Sequence, residues 1–260
     1  IYPAEIDIYS PSRKIGIEFN GSYWHSEAHL SIAEAKSKHI NKTLLCEEKG
    51  IRLIHVFEKD WDLKSNQYMS FLRSAFSSNK NKIFARKCLV DNNVENKFLN
   101  AYHIQGSPAS VLKWFNLRLN GNLIASMTAS KHHRQTINSK NIVLSRFCCK
   151  EDYSVAGGVS KLLKHFKIWA KSQGYEKIIS WSDNTISQGN VYKILGFEKE
   201  KVLSPDYFYW DAKINSYRSK QSQKKSNTGC PKDITEREWC LANGMYRIYD
   251  CGKIRWTMKI

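Results

Sequence analysis

The sequence predicts a mixed α/β chain with two domains and a basic C-terminal segment. In the first 76 residues, apolar strands with period-two alternation interleave with helical segments. A polar, basic break at 77–82 (Ser-Ser-Asn-Lys-Asn-Lys) precedes a second run of strands around a glycine-led helix. The 260 residues, 42% hydrophobic and 12% aromatic, allow one large core or two ordinary ones. The expected divisions are 1–78, 83–212 and 213–260.

Taken in order, residues 6–9 read as a strand, Ser10-Pro11-Ser12-Arg13 as a turn, and 15–19 as the return strand of a hairpin. Ile15, Ile17 and Phe19 alternate with Gly16, Glu18 and Asn20, so the polar pair faces away from the apolar trio. Residues 31–49 carry Ile32, Ala35, His39, Thr43 and Cys46 at helical spacing, with Gly50 placed to end the helix. A buried strand is expected over 51–57 and a helix over 66–76.

Beyond the break, 97–104 reads as a short helix. Strands at 113–119 and 122–128 flank Asn120-Gly121, a strong hairpin dipeptide. A strand at 142–148 leads to a helix at 159–173 opened by Gly157-Gly158 and closed by Gly174. A strand at 177–182, a helix at 187–195 and a strand at 207–210 follow. Thr235 and Glu238 form a capping box for a helix over 234–243, and a hairpin with an Asp-Cys-Gly turn ends the chain. No internal repeat is visible.

The formal net charge of +17 favours a polyanionic partner, with double-stranded DNA first among them. The candidate contacts are Lys131, His132, His133 and Arg134 in one loop, and Lys213, Arg218, Lys220, Lys224 and Lys225 in an arm with no acid after Asp211. Lys161, Lys164 and Lys167 share a helix face. Seven cysteines, odd in number and without CxxC spacing, fit a reducing cytoplasm. No run approaches the ~20 apolar residues of a membrane span, and no signal peptide is visible. The chain opens on Ile1, immediately before a strand, so an upstream segment is expected.

The N-terminal strands carry the candidate chemistry. Asp7 and Glu18 offer hard oxygens for a divalent metal, Asn20 an amide to position water or phosphate, and His25 a general acid or base near neutral pH. His39 and Lys42, on the following helix, could return to that surface, with Glu58 as a spare acid. The same spacing equally suits ordinary exposed strand charges at Asp7 and Glu18. His25 and His29 are four apart but lack the glutamate of a zinc HExxH motif, and Trp24 is expected in the core.

The string Ile17-Glu18-Phe19-Asn20-Gly21-Ser22-Tyr23-Trp24-His25, with the strand before it and the segment from Cys46 to Glu58 after it, resembles the Vsr-like endonucleases. It also resembles the related EDxHD homing endonucleases of phages, in the PD-(D/E)XK superfamily. Over residues 5–76 the resemblance implies a restriction-endonuclease-like domain, Mg²⁺ (or Mn²⁺) on Asp7 with Glu18, a catalytic His25, and Asn20 as an active-site polar group. Two features depart from the pattern: Asn20 replaces the lysine of the wider fold, and the sequence starts too late to contain the acidic residue that the family carries on a helix before the first strand.

Residues 147–197 resemble the core of GNAT acetyltransferases through the glycine turn and the segment Ser180-Trp181-Ser182-Asp183-Asn184…Gly189-Asn190-Val191-Tyr192-Lys193-Ile194-Leu195-Gly196-Phe197. That resemblance implies a GNAT-like mixed sheet, with Gly157 and Gly158 at a pyrophosphate if acetyl-CoA binds. The usual Arg or Gln ahead of the glycines is missing, with Tyr153 or Ser154 in its place, so acetyl-CoA is not expected. The leading expectation is a Mg²⁺-dependent DNA endonuclease, cytoplasmic, with the C-terminal half aiding DNA binding. The alternatives are an N-acetyltransferase with a degenerate nuclease domain and a non-catalytic DNA-binding protein.

Overall fold

The computed structural model describes residues 5–77, 79–132 and 139–260. The chain forms two compact units: Ile1–Leu63 with Ser182–Asn190 and Lys201–Ile254, and Lys64–Trp181 with Val191–Glu200 and Arg255–Ile260. Both are discontinuous in sequence, whereas the expected division was linear.

In the first unit, β1 (Ile8–Ser10) pairs antiparallel with β2 (Ile15–Asn20), Ile8 opposite Ile17. Helix α1 (Ile32–Glu48) starts from a Ser31/Glu34 capping box and carries the chain to β3 (Arg52–Phe57), which is parallel to β2 along its whole length. A parallel neighbour requires such a crossover. Cys46, Ile51 and Leu53 pack beneath it with Ile6 against them. Gly16 is required there, because a Cβ would lie 2.9 Å from Ile6 Cγ2. Helix α2 (Glu58–Phe76) loses helical geometry at Lys64 (φ −146°, ψ 31°), where the first unit gives way to the second.

The second unit contains β4 (Asn81–Phe84), β5 (Leu89–Asp91), α3 (Asn96–Tyr102), β6 (Lys113–Leu119), β7 (Asn122–Ser130), β8 (Asn141–Cys149), β9 (Tyr153–Ala156) and α4 (Gly158–Ser172). There follow β10 (Lys177–Asp183), α5 (Asn190–Ile194) and β11 (Glu198–Leu203). The chain then re-enters the first unit as β12 (Tyr207–Asp211), β13 (Ser216–Ser219), α6 (Glu236–Ala242) and β14 (Met245–Tyr249), before β15 (Lys253–Lys259). A seven-stranded sheet has the order β11-β15-β10-β8-β7-β6-β5, a three-stranded sheet the order β13-β12-β14, and β4 pairs with β9.

Helices cover both faces of the large sheet. Trp114 and Cys148 join Phe98 and Leu99 of α3 on one face. Phe115, the next residue on β6, meets Phe166 of α4 on the other, with ring centroids 5.3 Å apart. This is the period-two alternation of a strand buried on both sides.

The hairpin at Asn120-Gly121 forms with positive φ at both residues (49° and 82°). The helix expected at 187–195 shrinks to Asn190–Ile194, because Gly189 takes a left-handed φ of 72° just before it. Strand β11 (Glu-Lys-Glu-Lys-Val-Leu) is exposed and charged, so periodicity could not announce it. No helix among the described residues is long and apolar enough to cross a membrane.

Gly252 turns the chain into β15 at φ 72°, and a Cβ there would lie 2.4 Å from the Leu203 carbonyl oxygen. Gly252→Ala is expected to cost about 2 kcal/mol or more, read as a lower urea midpoint. An unchanged midpoint would show that this turn does not constrain the chain.

Candidate active site

Strand pairing in the large sheet stops short between β8 and β10. Strands β8 and β10 run parallel, but their register extends only from Asn141/Lys177 to Val143/Ile179. The cause lies on the other edge of β8, where Thr128 pairs with Arg146 and Ala129 with Leu144, leaving Ser145 as the extra residue of a bulge. A bulge bends and twists the strand that carries it. Beyond Val143 the β8 edge therefore parts from β10.

A side-chain bridge stands where the backbone pairing stops. Ser180 Oγ donates to the Leu144 carbonyl (2.9 Å) and lies 2.8 Å from the Tyr192 hydroxyl, itself 3.2 Å from the Trp181 carbonyl. Tyr192 is fixed by Trp256, stacked at 5.5 Å, and by Phe197, edge-on at 5.4 Å. Burial raises its phenol pKa, so the group stays protonated near neutrality and is a proton donor beside the gap.

Helix α4 follows β9 in the same unit. Gly157 takes φ 73° ahead of it, and a Cβ on Gly158 would lie 2.9 Å from Val155 Cγ1, so bare backbone leads into the helix. No side chain caps this terminus and no acidic residue occupies its first turn. Its N–H groups and dipole suit an anion. A cavity of about 410 Å³ runs between α4 and α5, lined by Lys164, Lys167 and Lys171 with apolar Leu163, Ile168 and Ile194. Charged and apolar walls together suit an elongated ligand with phosphates at one end.

The first unit gathers most of the residues singled out in the N-terminal strands. His39 Nδ1 lies 2.7 Å from the Tyr249 carbonyl and must donate to it, so its Nε2 accepts from His25 Nδ1 at 2.8 Å. Thr43 Oγ1 donates to the His39 carbonyl (2.9 Å) and accepts from His55 Nε2 (2.8 Å). His55 Nδ1 then accepts from the Asn20 amide at 3.2 Å. Burial drives the imidazole pKa of His25 down to about 3 and of His39 to about 4, and holds His55 well below its ordinary value.

Each carboxylate has one oxygen engaged. Glu18 is buried against Lys42, and burial raises its pKa despite that cation. Asp7 Oδ2 accepts from the Phe19 N–H (2.7 Å), and Glu58 Oε2 from that of Ser22 (2.7 Å). Among the described residues no three His, Cys, Asp or Glu side chains come together to hold a metal. The Mg²⁺ or Mn²⁺ expected on Asp7 and Glu18 finds no such cluster there: Lys42 pairs with Glu18 Oε1, and Glu18 Oε2 has no partner among the described residues. Trp24, expected in the core, is 58% exposed.

The basic residues are scattered in role. Lys220 pairs with Asp206, Lys225 donates to the Pro231 and Lys232 carbonyls, and Lys213 packs against Gly244. Arg218 lies on β13 and Lys224 precedes a 3-10 turn. Lys131 is exposed, His132 stacks on Trp181 at 5.3 Å, and His133 and Arg134 lie outside the described residues.

Comparison with known proteins addresses the second unit. A family model described as the acetyltransferase (GNAT) family matches residues 73–197. No curated protein matches the chain. Similar solved structures include an IAA acetyltransferase from Bacillus cereus (17% identity, 66% of this chain and 99% of that one, TM-score 0.39). A Bacillus subtilis acetyltransferase in complex with CoA is 16% identical, covering 67% of this chain and 99% of that one, TM-score 0.42. The ribosomal-protein-S18-alanine N-acetyltransferase of Escherichia coli is 13% identical, covering 66% and 94%, TM-score 0.38.

Residues 73–197 are a GNAT acetyltransferase domain. This finding overturns the leading expectation of a DNA endonuclease, a phosphodiester hydrolase. With it goes the expected Mg²⁺ or Mn²⁺ cofactor, since the family match points to acetyl-CoA, which the sequence reading had set aside. The Vsr-like reading of residues 5–76 gains no support from the comparisons. Ser180 and Tyr192 were not singled out from sequence, although both stand in the segment that carried the GNAT resemblance. A hydroxyl and a phenol twelve residues apart become a pair only once β10 and α5 are placed.

The buried imidazoles make stability depend on pH. Unfolded histidine titrates near 6.5, whereas His25 and His39 titrate at about 3 and about 4 in the fold. Their contribution is complete above ~6.5 and declines as the pH falls, because the unfolded chain binds protons that the native one refuses. It is lost as the pH passes through the folded values. Urea midpoints should fall between pH 7 and 4.5, less steeply in His39→Gln; parallel slopes would contradict this origin.

Proposed function

We propose that the chain is an N-acetyltransferase that takes its acetyl group from acetyl-CoA. The observation that carries the reading is the gap between β8 and β10, with Tyr192 beside it and an uncapped, glycine-led helix following β8. The GNAT match to residues 73–197 supports the same reading. Bound acetyl-CoA would supply an acetyl group activated as a thioester.

The residues present fit such a ligand. The first-turn N–H groups of α4, with Gly158 free of a side chain, would hold the pyrophosphate, and Lys164, Lys167 and Lys171 would face further phosphate charge. These lysines compensate for the missing Arg or Gln ahead of the glycines. The β8 edge past Val143, released from β10, offers backbone groups to an extended chain. Tyr192 holds a proton at its hydroxyl, where a departing thiolate needs one.

The first unit serves this reading as an accessory body whose buried histidines are structural, a nuclease-like arrangement without nuclease chemistry. The net charge of +17 supports double-stranded DNA as a further partner, met by Arg218, Lys224 and neighbouring basic residues.

Calorimetry with CoA and acetyl-CoA tests the reading. Saturable binding is expected, weakened in Lys164→Glu/Lys167→Glu. Tyr192→Phe should keep that binding and lower thiol release from acetyl-CoA with an amine acceptor by about tenfold to a hundredfold or more. Absence of binding by the wild type would overturn the proposal.

A further inference from the structure

The bulge that parts β8 from β10 also sets the direction of Arg146. Arg146 lies across from Thr128, and Thr128 across from Trp114, which packs with α3. Cross-strand partners share a face, so Arg146 stands on the α3 side of the sheet. Ser130 pairs with Val143 and Val143 with Ile179, which places Trp181, two residues on, on that same side. Arg146 and Trp181 therefore flank the gap on the face opposite α4. Arg146 is two residues beyond Leu144, across the bulge at Ser145.

Its guanidinium has a particular set of partners. Nε donates to the Gly106 carbonyl at 2.9 Å and Nη1 to the Ser145 carbonyl at 2.7 Å. Both partners are neutral, and among the described residues no carboxylate pairs with it. Arg118, Arg237, Arg247 and Arg255, by contrast, each meet a glutamate or aspartate. Around Arg146 the nearby groups add no negative charge: His103 is held neutral by burial, its pKa pushed down to about 3, and feels the positive charges of Arg146 and Lys64. A half-buried guanidinium with only carbonyl partners has its charge unmet, and its outer N–H groups match a two-oxygen anion.

We infer that Arg146 is a specificity-determining residue for the acetyl acceptor, and that the acceptor is an amine bearing a nearby anionic group, a carboxylate or a phosphate. This rests on the acetyltransferase reading. The two carbonyl bonds fix the guanidinium at the lip of the gap, so the anion is held there while the amine reaches the opening. Trp181, with His132 stacked on it, stands on the opposite lip.

The test uses the full chain saturated with acetyl-CoA and matched amine probes: glycine beside glycinamide, β-alanine beside β-alaninamide, and O-phosphoethanolamine beside ethanolamine. The wild type should prefer the anionic member of at least one pair by about tenfold or more in kcat/KM. The pair that responds identifies the anion as carboxylate or phosphate. Arg146→Gln should erase the preference, making kcat/KM for the anionic and neutral members equal, and Arg146→Lys should retain part of it.

Calorimetry of β-alanine and O-phosphoethanolamine against the CoA-loaded protein gives a readout independent of turnover, with binding lost in Arg146→Gln. Equal use of charged and neutral members, a preference that survives in Arg146→Gln, or no anion binding to CoA-loaded protein would overturn the inference. Failure of CoA itself to bind would instead remove the acetyltransferase reading on which it stands.

Discussion

The pairing of β8 with β10 governs the second unit, because it begins as a regular parallel ladder and stops after three residue pairs. Had it continued, the sheet would have closed over the place where Ser180, Tyr192 and the β8 edge now meet. One inserted residue, Ser145, ends it. The bulge bends β8, frees its edge on one side and aims Arg146 toward the α3 face. Tyr192 of α5 reaches that interruption through Ser180, and α5 shares the lysine-lined groove with α4, whose entrance is bare glycine. A catalytic opening made from one extra residue costs the sheet only a few backbone hydrogen bonds. The Ser180 to Leu144 bond replaces one of them.

The first unit shows how polar residues spaced apart in sequence meet in one cluster in space. Glu18, Asn20, His25, His39 and Lys42 do come together around β2 and α1. Many of their hydrogen bonds run to one another and to backbone, while Glu18 Oε2 and Asn20 Oδ1 have no partner among the described residues. His39 anchors on Tyr249, His55 on Thr43, Glu18 on Lys42, and Asp7 on the Phe19 amide. Desolvation keeps the imidazoles neutral, which removes the charge a general acid would use near pH 7. Spacing along the strands cannot reveal this, because it depends on which groups three separate elements bring to the same spot.

Much of the local structure was legible. Helical spacing with Gly50 placed α1, the capping box at Thr235/Glu238 fixed the start of α6, and Asn120-Gly121 fixed the β6–β7 hairpin. The glycine turn before α4 was also visible, and so was the GNAT resemblance of the segment after it. The weight given to each half was not, because the missing Arg or Gln ahead of Gly157 concealed that α4 carries its own lysines along the groove. Charged β11 and three-residue β5 lacked the alternation that announces a strand. Nothing local shows that β15, last in the chain, inserts between β10 and β11. The bulge at Ser145 has no sequence signature either, and the site follows from it.

The central claim is that the β8 edge and the first turn of α4 receive acetyl-CoA. Hydrogen–deuterium exchange of the full chain, with and without acetyl-CoA, tests it most directly. The account predicts new protection over residues 144–149 and 158–162, with α1 and β3 unchanged. Unaltered exchange in both segments at saturating ligand would contradict it.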